Sequence, residues 1–309
     1  MYTLDTCPCC ESKQLRLTPA VISPFFSRYV LGVRTPPECS YAECESCGFH
    51  FFDSRLTDAE VGRLYSGYRG EEYFRERHRA EPWYSRKVNE GIGGDPQEIL
   101  ARNAALEDFL STHMDIAQVG TVLDFGGDRG QFIPDALGKQ KFVFELSDAV
   151  AVEGVTRIAS EAELSDRSFD FLMLTGVLEH CSEPLEILQK LRGLATGPES
   201  HFLIGVPYER FDVGWLGRGA MYRSYLRLLR HTGPLLMLAD FYSTAFRLYR
   251  NSLPPLGVLK CHEHLNFFDE QSMTALLARA NMEIVSSKVT QVISYPTRTL
   301  SLYVLARGC

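Results

Sequence analysis

Five apolar runs in the second half of the chain constrain its fold more than any other feature. They are VGTVLDF from Val119, KFVFEL from Lys141, GVTRIA from Gly154, FDFLMLT from Phe169 and HFLIGVP from His201. Each is mainly apolar, as expected of strands covered on both faces in a parallel sheet. Turns and helical segments separate them, and such alternation implies right-handed crossovers and an α/β, doubly wound sheet. The rhythm breaks at residues 208–260. It resumes with a helix in DEQSMTALLARANM and two strands, EIVSSKVTQVI and TLSLYVLAR.

Upstream, residues 57–118 read as a helical linker or cap (EVGRLYSGY, EEYFRERHRAEPWYSRKVN, EILARNAALEDFL), with a break from Gly91 to Pro96. Residues 1–56 hold six of the nine cysteines. Cys7 and Cys10 form one C-x2-C pair, and Cys44 and Cys47 another, followed by Gly48. Two such turns supply the four thiolates that a tetrahedral zinc ion takes. A closed four-thiolate site stabilises the fold and leaves no position open for chemistry. Cys9 and Cys39 remain alternative ligands, and Phe49, Phe51 and Phe52 can pack against the second turn. The expected division is a zinc ribbon at 1–56, the helical linker at 57–118, and a ligand-binding α/β domain at 119–309 with a basic helical insertion at 208–260.

The first strand runs into Asp124 and then Gly126, Gly127 and Gly130, with a helical segment expected next. Glycines at the carboxyl edge of such a sheet admit a sharp turn and a closely approaching ligand. The second strand ends in Glu145, 21 residues after Asp124, where a carboxylate can accept from both hydroxyls of an adenosine ribose. The turn lacks G-x-G-x-x-G spacing and any GK[ST], which disfavours NAD and nucleoside triphosphates.

This pattern resembles the first motif of class I S-adenosylmethionine-dependent methyltransferases, Asp-x-Gly-x-Gly-x-Gly, read here as Asp124-Phe125-Gly126-Gly127-Asp128-Arg129-Gly130. Asp128 replaces one glycine, and Asp tolerates left-handed backbone better than most residues. The segment FDFLMLTGVLEHCSEP is similar to the family's fourth strand and the residues after it. The resemblance implies a Rossmann-like, seven-stranded, mostly parallel sheet, with Thr175 and Gly176 along the methionine part of the cofactor. It also has Glu179 and His180 starting the next helix, and Tyr84 closing over the cofactor.

CHEHLNFFDEQS places Glu263 between His262 and His264. A histidine can take up a proton at cellular pH, and a neighbouring carboxylate can orient it, so His264 with Glu263 is the candidate base pair. Zinc binding by His262 and His264 is the rival reading. The segment is similar to the HEHxxxF region of sugar methyltransferases, including zinc-containing sugar C-methyltransferases, which carry Tyr where this chain has Cys261. The resemblance implies methylation of a sugar hydroxyl or carbon, on a nucleotide-sugar or surface-polysaccharide precursor.

Two alternatives stay open: a ribosomal RNA methyltransferase, and a non-catalytic zinc-ribbon binding module. The net charge of −7 argues against nucleic acid. Residues 208–260, however, carry +5, with Arg223, Arg227 and Arg230 at helical spacing, which suits an anionic substrate, a lipid surface or a protein contact. With no leader pattern at MYTLDTCPCC and no apolar stretch of bilayer length, a cytoplasmic protein is expected.

Overall fold

The structure is a computed structural model, and it describes every residue except 146, 148, 210, 215, 216, 218, 251, 295 and 296. Arg210 and Arg218 of the basic segment therefore lie outside the described residues. The chain forms two compact units. One comprises Met1–Cys7, Glu11–Asn89 and Glu209–Phe267, and the other Pro8–Cys10, Glu90–Tyr208 and Phe268–Cys309.

The second unit is built on a seven-stranded sheet. In chain order its strands are Thr121–Phe125, Gln140–Phe144, Val155–Ile158, Phe171–Thr175, His201–Pro207, Met282–Ser294 and Thr297–Gly308. In space they run third, second, first, fourth, fifth, seventh, sixth. The first five are mutually parallel, and Thr297–Gly308 is antiparallel to both of its neighbours. The apolar runs thus become strands within about two residues of the expected bounds. The core that holds the sheet joins Val122, Phe171, Met173, Leu203 and Leu305 to Leu106, Phe109 and Leu110. The last three lie on the helix Pro96–Ser111, whose N-cap Asp95 accepts from the amides of Gln97 and Glu98 at 2.9 and 3.1 Å.

Two local expectations are corrected. Residues 131–139 after the glycine turn form turns and no helix. Pro134 lacks an N–H, and Gly138 adopts φ +77°, so a stretch this short cannot propagate a helical ladder. Glu179 and His180 likewise sit in a turn. The helix begins only at Pro184, the residue type best suited to a first helical position.

The first unit holds a five-stranded sheet ordered Lys260–Cys261, Leu15–Ile22, Glu38–Cys44, His50–Phe52, Asn266–Phe267. Both edge strands come from one eight-residue stretch, Lys260–Phe267. Four inter-strand spacings span about 19 Å in a flat sheet, whereas the five residue steps from Cys261 to Asn266 reach at most about 18 Å. The sheet must curl, and residues 262–264 close across its mouth. Helices Ala220–His231 and Gly233–Arg250 belong to this unit. The former buries Tyr222, Leu226 and Leu229 and exposes Arg223 and Arg227. Among the described residues, no helix is long and apolar enough to cross a membrane.

Candidate functional site

In the second unit, the strand Thr121–Phe125 delivers Asp124 to the carboxyl edge of the sheet. The turn after it has Gly126 and Gly130 at φ +71° and +74°. Asp128 also adopts a left-handed φ of +55°, so the one non-glycine in the motif takes the conformation its side chain tolerates. Its carboxylate accepts from Gln131 Nε2 at 3.1 Å, and the same nitrogen donates to the Gly93 carbonyl at 3.0 Å. Gln131 is a brace that the motif alone does not disclose, because its partner Gly93 lies far outside the motif.

Gly127 faces Asp124 so closely that a Cβ there would lie 2.2 Å from Asp124 Oδ2. The Asp124 side chain is fully buried, and neither carboxylate oxygen has a hydrogen-bond partner among the described residues. Burial pushes its carboxyl up to about 7. Arg102, on the helix Pro96–Ser111, opposes that rise, while Glu145 and Asp128 add to it. Glu145 lies just past the end of the neighbouring strand, and its Oε1 accepts from the Ser147 amide at 2.8 Å. Thr175 ends the fourth strand and Gly176 follows it, its amide donating to the Gly205 carbonyl at 2.9 Å. The structure thus gathers Asp124, Gly126, Gly127, Gly130, Glu145, Thr175 and Gly176 at one edge of one sheet. Tyr84 belongs to the other unit. There it is buried, its hydroxyl donates to Asn89 Oδ1 at 2.9 Å, and the Arg77 guanidinium lies 3.9 Å from its ring centroid.

The first unit encloses a chamber of about 270 Å³ that combines acids, bases and aromatic rings, among them Phe52, Trp83, Phe211 and Phe267. The Glu263 carboxylate accepts from Arg77 Nη1 at 3.0 Å and from the Tyr73 hydroxyl. His264 Nδ1 lies 3.5 Å from Glu209 Oε2, and both side chains are about one-third exposed. Glu209, more than fifty residues away in sequence, thus sets a carboxylate beside His264, while adjacent Glu263 is engaged by Arg77 and Tyr73. Lys260 donates to Glu81 and, at 2.7 Å, to Asp240 Oδ2. Burial would raise the Glu81 carboxyl, but Lys260, His262 and Arg77 outweigh it and hold it well below the usual range. Burial raises Asp240 against the pull of Lys260. His262 stacks on Phe25, with centroids 5.6 Å apart, and burial pushes its imidazole down to about 4. It is a neutral packing residue at cellular pH.

The cysteine turns are closed by their own backbone. The Glu11 amide donates to the Cys7 carbonyl at 2.8 Å, and the Gly48 amide to the Cys44 carbonyl at 2.9 Å. Cys10 lies inside the first of these turns. The sulfurs of Cys7, Cys10, Cys44 and Cys47 all fall within 4.8 Å of one another, and Cys7 Sγ lies 3.6 Å from Cys47 Sγ. A tetrahedron of thiolates with zinc–sulfur bonds of about 2.3 Å has edges of about 3.8 Å, so the arrangement fits that ion. Phe49 and Phe51 stack behind the second turn with centroids 5.4 Å apart.

A family model described as a methyltransferase domain matches residues 67–287. Among solved structures, the chain is similar to the 1,6-didemethyltoxoflavin-N1-methyltransferase of Burkholderia thailandensis, with 16% identity, a TM-score of 0.45, and 84% of this chain and 94% of that one covered. It is also similar to magnesium protoporphyrin IX methyltransferase of Synechocystis, at 12% identity and TM-score 0.41, covering 67% of this chain and 81% of that one. None of the curated proteins matches it.

Proposed function

The chain belongs to the methyltransferase-domain family, and from that membership we propose that it methylates a small polar acceptor, a sugar hydroxyl or carbon, using S-adenosylmethionine. The observation that carries the cofactor assignment is the Asp124 carboxylate, buried without a hydrogen-bond partner among the described residues and set against the bare Cα of Gly127. A cationic ligand with an ammonium group and a sulfonium centre answers that site, since it supplies the positive charge and donors that a buried acid lacks. In this reading Gly126, Gly127 and Gly130 admit the cofactor to the backbone, Glu145 takes the ribose hydroxyls, and Thr175 and Gly176 flank the methionine part. When bound, the cofactor supplies an electrophilic methyl group.

The acceptor reading rests on the chamber. Aromatic rings beside alternating carboxylates and cations suit a ring that presents apolar faces and a rim of hydroxyls. His264 removes the acceptor's proton, and Glu209 at 3.5 Å stabilises the imidazolium that forms. Glu263, held by Arg77 and Tyr73, positions the acceptor through the chamber wall. The four cysteines hold a structural zinc ion, which implies a reducing compartment such as the cytoplasm.

Calorimetry with S-adenosylhomocysteine, followed by incubation of labelled S-adenosylmethionine with a panel of nucleotide sugars, tests this reading. Saturable binding and label recovered in a sugar are expected. His264→Ala lowers turnover by about 10²–10⁴ without changing cofactor affinity. Absence of cofactor binding overturns the enzyme assignment for this chain, and label recovered only in other acceptors overturns the sugar.

A further inference from the structure

The first unit contains a second cavity that is chemically unlike the acid–base chamber. It encloses about 490 Å³, and its lining includes Arg28, Arg34, Arg79, Arg230 and His231 but, among the described residues, no aspartate or glutamate. Separate segments deliver these groups: the π-helical turn Phe26–Val30, the loop after it, and the last turn of the helix Glu71–Ala80. The remaining wall is the start of the 18-residue helix Gly233–Arg250.

Arg230 is already engaged. Its Nε donates to the Pro36 carbonyl and its Nη1 to Glu38, so it braces the rim. Arg28, Arg34 and Arg79 are exposed and make no ion pair or hydrogen bond among the described residues. Converging like charges repel, and elsewhere in this unit such charges are answered: Lys260 by Glu81 and Asp240, Arg77 by Glu263 and Glu81. Here no described residue answers them, and the positive end of a helix dipole adds to the field.

We propose that this cavity binds the phosphate or diphosphate group of an anionic ligand. Guanidinium forks match phosphate oxygens in pairs, and the start of the helix Gly233–Arg250 in the cavity wall adds the positive end of its dipole. A lining without carboxylates spares an anion the repulsion it meets in the chamber. The ligand's source is either a soluble nucleoside diphosphate or a phospholipid headgroup, because both present the same group.

The test is titration of the full chain with inorganic pyrophosphate by calorimetry. One saturable site is expected, weakened about tenfold by Arg34→Ala or Arg79→Ala and abolished when the two are combined. Arg227→Ala, on the exposed face of the helix Ala220–His231, leaves it unchanged. No heat with millimolar pyrophosphate overturns the proposal, as does equal weakening by Arg227→Ala. Tighter binding of uridine diphosphate than of pyrophosphate assigns the site to a soluble nucleotide. Flotation with phosphatidylglycerol vesicles that pyrophosphate reverses assigns it to a headgroup. S-adenosylhomocysteine binding in the same preparation keeps the failure of this site distinct from failure of the methyl-transfer reading.

Discussion

The glycine turn and the acid–base chamber are assembled in opposite ways. The turn draws on seven consecutive residues, Asp124–Gly130, and apart from the buried Asp124 carboxylate its working parts are backbone: two left-handed glycines, one left-handed aspartate and one Cα with no room for a side chain. The chamber draws on Arg77, Glu81, Glu209, Asp240, Lys260 and residues 262–264, and its working parts are charged side-chain tips. A backbone device is destroyed by adding one carbon. A charge network is destroyed by removing one partner. The difference sets how each should fail.

The largest effect is expected where neither kind of side-chain tolerance helps. A chelator strong enough to strip zinc should unfold the cysteine turns, since metal affinity of about 10 kcal/mol or more is folding free energy in small thiolate modules. Metal analysis should find one zinc per chain, and Cys44→Ser should reduce it to substoichiometric levels. Protein that is metal-free and fully folded would remove the scaffold role.

Next in size is Gly127→Ala, which places a Cβ 2.2 Å from Asp124 Oδ2. The carboxylate must swing, at a cost of about 3 kcal/mol or more in strain and lost burial. S-adenosylhomocysteine affinity should fall by about a hundredfold. An affinity within a factor of three of wild type would mean that the cofactor does not use this turn.

In the chamber the matching substitution is Lys260→Ala. It leaves Glu81 and Asp240 buried without the ammonium that both contact, which costs about 3–5 kcal/mol, whereas Lys260→Met combined with Asp240→Leu and Glu81→Gln should recover most of it. Thermal melts separate these outcomes. If single removal costs less than about 1 kcal/mol, the network is solvated and the contrast with the glycine turn is lost.

The same contrast decides what can be read from the sequence. Runs such as FDFLMLT and HFLIGVP give away their strands because burial on both faces demands apolar residues at every position. The glycine turn and the C-x2-C pairs are legible because their chemistry is local. The helix expected after Gly130 is absent because Pro134 and Gly138 interrupt so short a stretch. Glu209 beside His264 leaves no local signal at all. Its pairing depends on a sheet that curls until residues 262–264 cross its mouth, and adjacency in sequence points instead to Glu263. Gln131 and Arg102 escape for the same reason, since each acts on the motif through a tertiary contact.

The smallest net effect in the wild type, and the most diagnostic, is pH dependence, because the two regions oppose each other. Asp124 titrates near 3.8 in an unfolded chain and at about 7 when folded, so between those values the native state binds more protons and stability falls as pH rises. The full penalty, at most about 4 kcal/mol, is present above pH 7. His262 works the other way. Its folded value of about 4 lies below the ordinary 6.5, so the unfolded state binds the extra proton and stability rises with pH through that window. From pH 4 to 6.5 the two slopes largely cancel, and the wild type should look flat. Between 6.5 and 7.5 the His262 slope is spent, and Asp124 gives a shallow decline that bound S-adenosylmethionine reverses by supplying a cation. Urea melts across this range should show Asp124→Asn losing the decline and gaining a rise below 6.5, while His262→Gln shows a fall beginning near pH 4. An Asp124→Asn protein that keeps the wild-type decline above pH 6.5 would mean that the turn does not hold a neutral acid, and the cationic cofactor would lose its main structural argument.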